Sequence, residues 1–157
     1  MDVTDRALIE ALRANARASW AELGRIVGMS GPSVTDRVQR LEQTGVITGY
    51  HAAVEPSAIG LSVAALVGVH LTDTSDQDAV TTALGKLEEV EDCWFVAGDE
   101  AFLLKVRVAD VASLERTLSR LRKIRGVART RTTVVLSTKW ETRITGPREP
   151  GDVLPAP

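Results

Sequence analysis

The stretch "SGPSVTDRVQR", from Ser30 to Arg40, places its polar residues where a helix would turn them outward. Val34, Val38 and Leu41 fall at i, i+4 and i+7 and take the inward face. Ser33, Thr35, Arg37, Gln39 and Arg40 are left for the other faces. Hydroxyls at Ser33 and Thr35 donate to or accept from base edges, and guanidiniums at Arg37 and Arg40 reach a guanine edge or a phosphate. A helix N-terminus is itself a phosphate site, which Ser30 and Gly31 would present. Asp36 has three readings: an i+4 pair with Arg40, a contact with the helix dipole, or an acceptor for a cytosine amino group. The competing reading of the whole stretch is a solvated helix face in a protein-binding module.

Other chemistries are poorly provided for. His51 and His70 are the only histidines, and neither has a carboxylate or cysteine at ligand spacing. We therefore expect no metal site, no catalytic residues and no cofactor. Neither a nucleophile elbow nor a phosphate-cradling glycine loop occurs. Cys93, the single cysteine, lies beside Trp94 and Phe95 in a strand-like run and reads as a packed side chain. Trp20, Trp94 and Trp140 read as core or interface residues, with Trp94 set apart by its closeness to the Gly98 turn.

The elements that position these residues are marked by their ends. Asp2 or Thr4 caps a first helix with Ala7, Leu8, Ala11 and Leu12 at helical spacing. Ser19 with Glu22 forms a capping box for a second, which buries Leu23, Ile26 and Val27 and stops at Gly28. Ser30 caps the third, Pro32 sits in its first turn, and Gly45 ends it. "VITGYHAAV" predicts a short two-stranded wing. "EPSAIG", residues 55–60, reads as a linker.

A different pattern follows. "LSVAALVGVHL", "DCWFVAG", "AFLLKVRVA" and "VARTRTTVVLST" read as strands. Two helices alternate with them, one burying Val80, Leu84 and Leu87, the other Val111, Leu114, Leu118 and Leu121. The order β-α-β-β-α-β predicts a ferredoxin-like antiparallel sheet with both helices on one face. The first strand is apolar on both faces, with Ala64, Leu66 and Gly68 opposite Val63, Ala65, Val67 and Val69. A second subunit packed sheet to sheet would cover the helix-free face. The domains expected are 1–54, a winged helix-turn-helix, and 61–140, a ferredoxin-like oligomerisation domain. A Pro/Gly-rich tail, 141–157, follows. The fold class is α+β.

Composition sets the bounds. The 157 residues carry a formal net charge of −2, with 44% hydrophobic and 25% charged residues, as in ordinary globular proteins. One cysteine excludes an internal disulfide framework. No signal-peptide core or membrane-length apolar run occurs, which predicts a cytoplasmic protein. The densest basic run, "RLRKIRGVARTR" from Arg120 to Arg131, reads as a solvated helix end in preference to a second DNA contact.

"ELGRIVGMSGPSVTDRVQRLEQTGVITGY", "VAGDEAFLLKV" and "RTRTTVVL", in this order, resemble the Lrp/AsnC family of leucine-responsive, feast/famine regulators. The resemblance runs from about Asp5 to Lys139. It implies a transcription regulator that binds double-stranded DNA as a homodimer of higher order, often an octamer, and that senses an amino acid between effector domains. It puts the sensor at "AGDEAFLL". Backbone N–H groups at Gly98 suit a carboxylate, and Asp99 or Glu100 suits an ammonium. The family pattern has an acid three residues after the glycine; here Ala101 stands there. By the same resemblance Thr132, Thr133 and Val134 line the effector site, and Trp94 lies close to it. Two alternatives share the layout: an effector-free regulator, and a siroheme-decarboxylase-like enzyme, for which the histidines are few.

Overall fold

The computed structural model describes residues 1–141. The chain divides into two compact units, which separate between Ala53 and Val54. The tail expected at 141–157 lies, beyond Glu141, outside the described residues.

The N-terminal unit holds α1 (Val3–Ala14), α2 (Trp20–Val27) and α3 (Gly31–Gln43). Leu8, Leu12, Leu23, Val34 and Val38 form its core. Each of these buried side chains contributes about 1.5–3 kcal/mol. The caps are local and specific. Asp2 caps α1, with Asp5 returning the bond; Ser19 and Glu22 do the same for α2; Ser30 caps α3 ahead of Pro32. Gly28 closes α2 in the left-handed conformation. The angle between α2 and α3 depends on Gly24. A Cβ there would sit 2.5 Å from the Met29 carbonyl oxygen, while Met29 N–H donates to the Gly24 carbonyl. Two expected core positions are not core: Ile26 is largely exposed on α2, and so is Val111 at the start of α5 (Val111–Arg122).

The two-stranded wing is not formed: residues 44–55, all described, contain no strand. After α3 the chain folds back on the helix it has just left. Val46 and Ile47 both donate to the Leu41 carbonyl, and the Tyr50 hydroxyl donates to Glu42 Oε1 at 2.7 Å. Partial burial, then the Glu42 carboxylate, push the Tyr50 phenol up to about 12, so the donor is kept. Backbone donors spent on the helix end leave no ladder for a hairpin.

The second unit is a four-stranded antiparallel sheet in the order β2-β3-β1-β4. Its strands are β1 (Val63–Leu71), β2 (Val90–Phe95), β3 (Phe102–Val108) and β4 (Val127–Val135), with α4 (Gln77–Leu84) and α5 between them. Ala65, Val67 and Val69 of β1 and Phe102, Leu104, Val106 and Val108 of β3 pack against Val80 and Leu84 of α4 and Leu114 and Leu121 of α5. This is the expected ferredoxin-like arrangement. Pairing puts Ala64, Leu66, Gly68 and His70 on the other face with Leu103, Lys105, Arg107, Arg129, Arg131 and Thr133. That face is less apolar than its central strand suggested. Ala64 is buried and Leu66 is 38% exposed. The Glu100 side chain lies over Gly68, where a Cβ would come within 2.6 Å of Glu100 Cγ. Cys93, expected to be packed, is exposed because β2 is an edge strand.

Candidate functional site

The helix-turn-helix is built from α2, the turn at Gly28 and α3. Ser30 Oγ and Ser33 Oγ lie 2.9 Å apart, and Thr35 Oγ1 donates to the Gly31 carbonyl at 3.0 Å. These hydroxyls are satisfied within the first turn of the helix. Arg37 is engaged elsewhere. Its Nη1 donates to Asp2 Oδ2 at 2.6 Å and to Asp5 Oδ1 at 2.8 Å. Arg40 Nη2 reaches Asp5 Oδ1 at 3.1 Å and Oδ2 at 3.3 Å, so its partner is Asp5 and not the Asp36 one turn away. Asp5 is only 2% exposed. The two arginines thus tie α3 to the start of α1. The outward face of α3 is Pro32, Asp36, Gln39 and Arg40. Residue type alone assigns Gln39 no role; its helical angle, more than a quarter turn from both Val34 and Val38, places it among the exposed residues of α3.

The aspartates are held below the usual carboxylate range. In each, the largest cause is the hydrogen bond with the other's backbone N–H, reinforced by Arg37. A carboxylate depressed on folding stabilises above its unfolded value, and that contribution is lost as pH falls. Far-UV circular dichroism should therefore show the helical unit losing stability as pH drops below about 4. Replacing Asp2 and Asp5 by asparagine should flatten that dependence. An unchanged acid midpoint in the variant would exclude the pair as its source.

In the second unit the β2–β3 turn is the notable loop. Gly98 has φ +154°, a conformation that side chains rarely adopt, with open space around it. Gly98, Asp99 and Ala101 line a cleft of about 970 Å³ together with His70, Phe95, Val96, Ala128 and Arg129. The Arg129 guanidinium stands 3.4 Å from His70 Nδ1. Asp73 and Asp99 give the cleft two carboxylates, and Arg129 gives it a guanidinium. Glu100 lies over Gly68 on the open sheet face and pairs with Arg131. A hydrogen bond to backbone N–H, then Arg131, hold its carboxyl low.

The remaining expected effector residues divide. Thr133 is opposite Leu66 and Trp94 opposite Leu103, both on the open face. Thr132 and Val134 are opposite Val67 and Ala65, on the helix side. The turn lies level with Val69 and Thr130, so one chain does not bring Thr132, Thr133 and Val134 into the same cleft as Gly98. His70 and Arg129 take that place. Only the register β1 imposes on both its neighbours would have found them. In the basic run, Arg120 pairs with Glu89, Arg131 with Glu100, and Arg122, Lys123 and Arg125 are exposed at the end of α5. Among the described residues no group of three or more His, Cys, Asp or Glu could hold a metal, and no helix is long and apolar enough to cross a membrane.

Residues 1–42 match the AsnC-type helix-turn-helix domain, and residues 64–145 match the Lrp/AsnC ligand binding domain. The chain belongs to the Lrp/AsnC family. It is 41% identical over 143 residues to the HTH-type transcriptional regulator LrpA of Mycobacterium tuberculosis, covering 91% of this chain and 95% of that one. It is 31% identical over 137 residues to the regulatory protein AsnC of Escherichia coli, covering 87% and 90%. Among solved structures, the feast or famine regulatory protein from M. tuberculosis complexed with L-methionine has a TM-score of 0.87 at 41% identity, covering 93% of this chain and 99% of that one. These Lrp/AsnC relatives are transcriptional regulators. The likeness spans both units, and so extends over the α3 face and the β2–β3 turn.

Proposed function

We propose that this chain is a sequence-specific regulator of transcription that reads double-stranded DNA with α3 and responds to a free amino acid at the β2–β3 turn. The observation that carries the reading is α3 itself: capped at Ser30, locked to α1 through Arg37, and open along Asp36, Gln39 and Arg40. Ser30 and Gly31, at the helix N-terminus, meet a phosphate. Ser33 and Thr35 flank the groove. Arg37 sets the helix, and Arg40 exchanges Asp5 for a phosphate or guanine. Residues 1–54 read DNA, 61–140 sense and assemble, and 55–60 link them.

A formal charge of −2 fits a reader that acts in several copies, since linked sites gain factors of ~10² to 10⁴ in avidity. Leu66, Leu103 and Trp94 give the open sheet face an apolar centre between charged rows, suited to a two-fold partner and, through further contacts, to an octamer. For the effector, Arg129 takes the carboxylate, Asp99 the ammonium, and Phe95, Val96 and Ala101 an apolar side chain. Glu100, Thr133 and Trp94 act from the open sheet face, through a neighbouring subunit. The complex of the M. tuberculosis relative with L-methionine supports this ligand class.

The test is fluorescence anisotropy on DNA from upstream of the chain's own gene. Binding should fall steeply with salt and weaken by about 1–3 kcal/mol in Arg40→Ala. An apolar amino acid should shift it with an affinity on the order of −4 to −6 kcal/mol. Gly98→Gln, which fills the cleft, should lose that response. Gly98→Ala adds the same backbone strain with little volume and should keep more of it. Equal DNA binding by wild type and Arg40→Ala removes the outward α3 face from the mechanism.

A further inference from the structure

At the far end of β3 from the turn, about 20 Å along the strand, a second cleft of about 460 Å³ opens between the sheet and α5. Its walls carry Glu88, Glu89 and Glu91 against Arg107, Arg116 and Arg120, one negative group for each positive one. Arg107 is only 8% exposed, and its Nε donates to Glu91 Oε1 at 2.7 Å. Arg116 Nη2 donates to Ser113 Oγ at 2.8 Å, at the start of α5. Glu89 is the irregular member. Its Oε1 accepts from Arg120, but its Oε2 is buried without a hydrogen-bond partner.

A buried carboxylate oxygen without a donor is costly, and side chains that keep one usually lack a group that completes them. Arg120, half exposed, is the residue that pairs with the other oxygen of Glu89, and it can swing outward. The opened space would offer a carboxylate oxygen beside the guanidiniums of Arg116 and Arg120. A monovalent ion satisfies half of that arrangement. A small molecule bearing both an ammonium and a carboxylate satisfies all of it, with no net charge left in a cleft whose own charges cancel.

We propose that this cleft is a second binding site for an α-amino acid, separate from the β2–β3 turn, in which Glu89 accepts from the ammonium while Arg116 and Arg120 hold the carboxylate. It stands independently of the turn reading, because the two clefts share no residue.

The test is isothermal titration of the common L-amino acids into the full chain. Wild type is compared with Gly98→Gln, Glu89→Gln and the double variant, each checked for folding by circular dichroism. Gly98→Gln should still bind an amino acid at the second cleft. Glu89→Gln should weaken that binding at least tenfold, and Arg116→Gln should do the same without touching Glu89. Methylammonium and acetate should each bind at least tenfold more weakly than the amino acid. Failure of the turn reading alone would appear as equal binding by wild type and Gly98→Gln, with the Glu89 effect intact. The proposal is overturned if Gly98→Gln binds no amino acid at 10 mM or so. It is equally overturned if Glu89→Gln and Arg116→Gln bind with wild-type stoichiometry and affinity.

Discussion

Asp5→Ala will lower the thermal midpoint of the helical unit by roughly 5–20 °C and abolish operator binding at the temperature where wild type binds. Asp5 is a 2% exposed carboxylate that caps Asp2, accepts from Arg37 and receives Arg40. Its removal leaves the Asp2 backbone N–H without its cap and both guanidiniums short of a partner, a loss of about 1–3 kcal/mol. The sheet unit draws on a separate core and should keep its own transition. Asp5→Asn, which retains the acceptor for the cap but not the charge, should fall between the two. The measurement is calorimetry with anisotropy on the same samples. If Asp5→Ala melts with wild type, the α1–α3 tie does not hold the reading helix, and Arg37 is returned to the set of free DNA contacts.

Leu66→Asp is expected to leave the subunit folded and to dissolve the assembly. Leu66 is central on the helix-free face and faces Lys105 and Thr133 across its two neighbouring strands. In an isolated subunit the new carboxylate has water and Lys105 within reach. Against a partner sheet it would be buried, at several kcal/mol. Light scattering should show a smaller particle with unchanged circular dichroism. Operator affinity should drop by the avidity factor, ~10² to 10⁴. A variant that scatters like wild type would mean that the sheet face is not where subunits meet.

What the sequence made legible was local. Ser19 with Glu22, Ser30 with Pro32, and Gly28 each signal a helix end within a few residues, and α2 and α3 begin and end there. The β-α-β-β-α-β order followed from periodicity alone. The site chemistry was less legible because its partners are distant along the chain. Asp36 lies at i+4 spacing from Arg40 and invited a pairing, yet Asp5 wins by being buried beside it. The wing failed because β-branched residues announce a strand but not a mate for it. Thr132 and Val134 were grouped with the turn by likeness, and only strand register shows that they face the helices.

Asp99 and Glu100 are joined by one peptide unit, yet they serve different partners. Asp99 looks into the cleft beside Arg129, and Glu100 lies over Gly68 and grips Arg131 on the open face. A planar peptide cannot twist at one end only. A ligand that shifts the Asp99 backbone also shifts the peptide plane that leads to Glu100. Gly68, having no side chain, gives Glu100 room to slide. Under the proposed function the turn would work as a lever one bond long, with the amino acid on one arm and the partner subunit on the other.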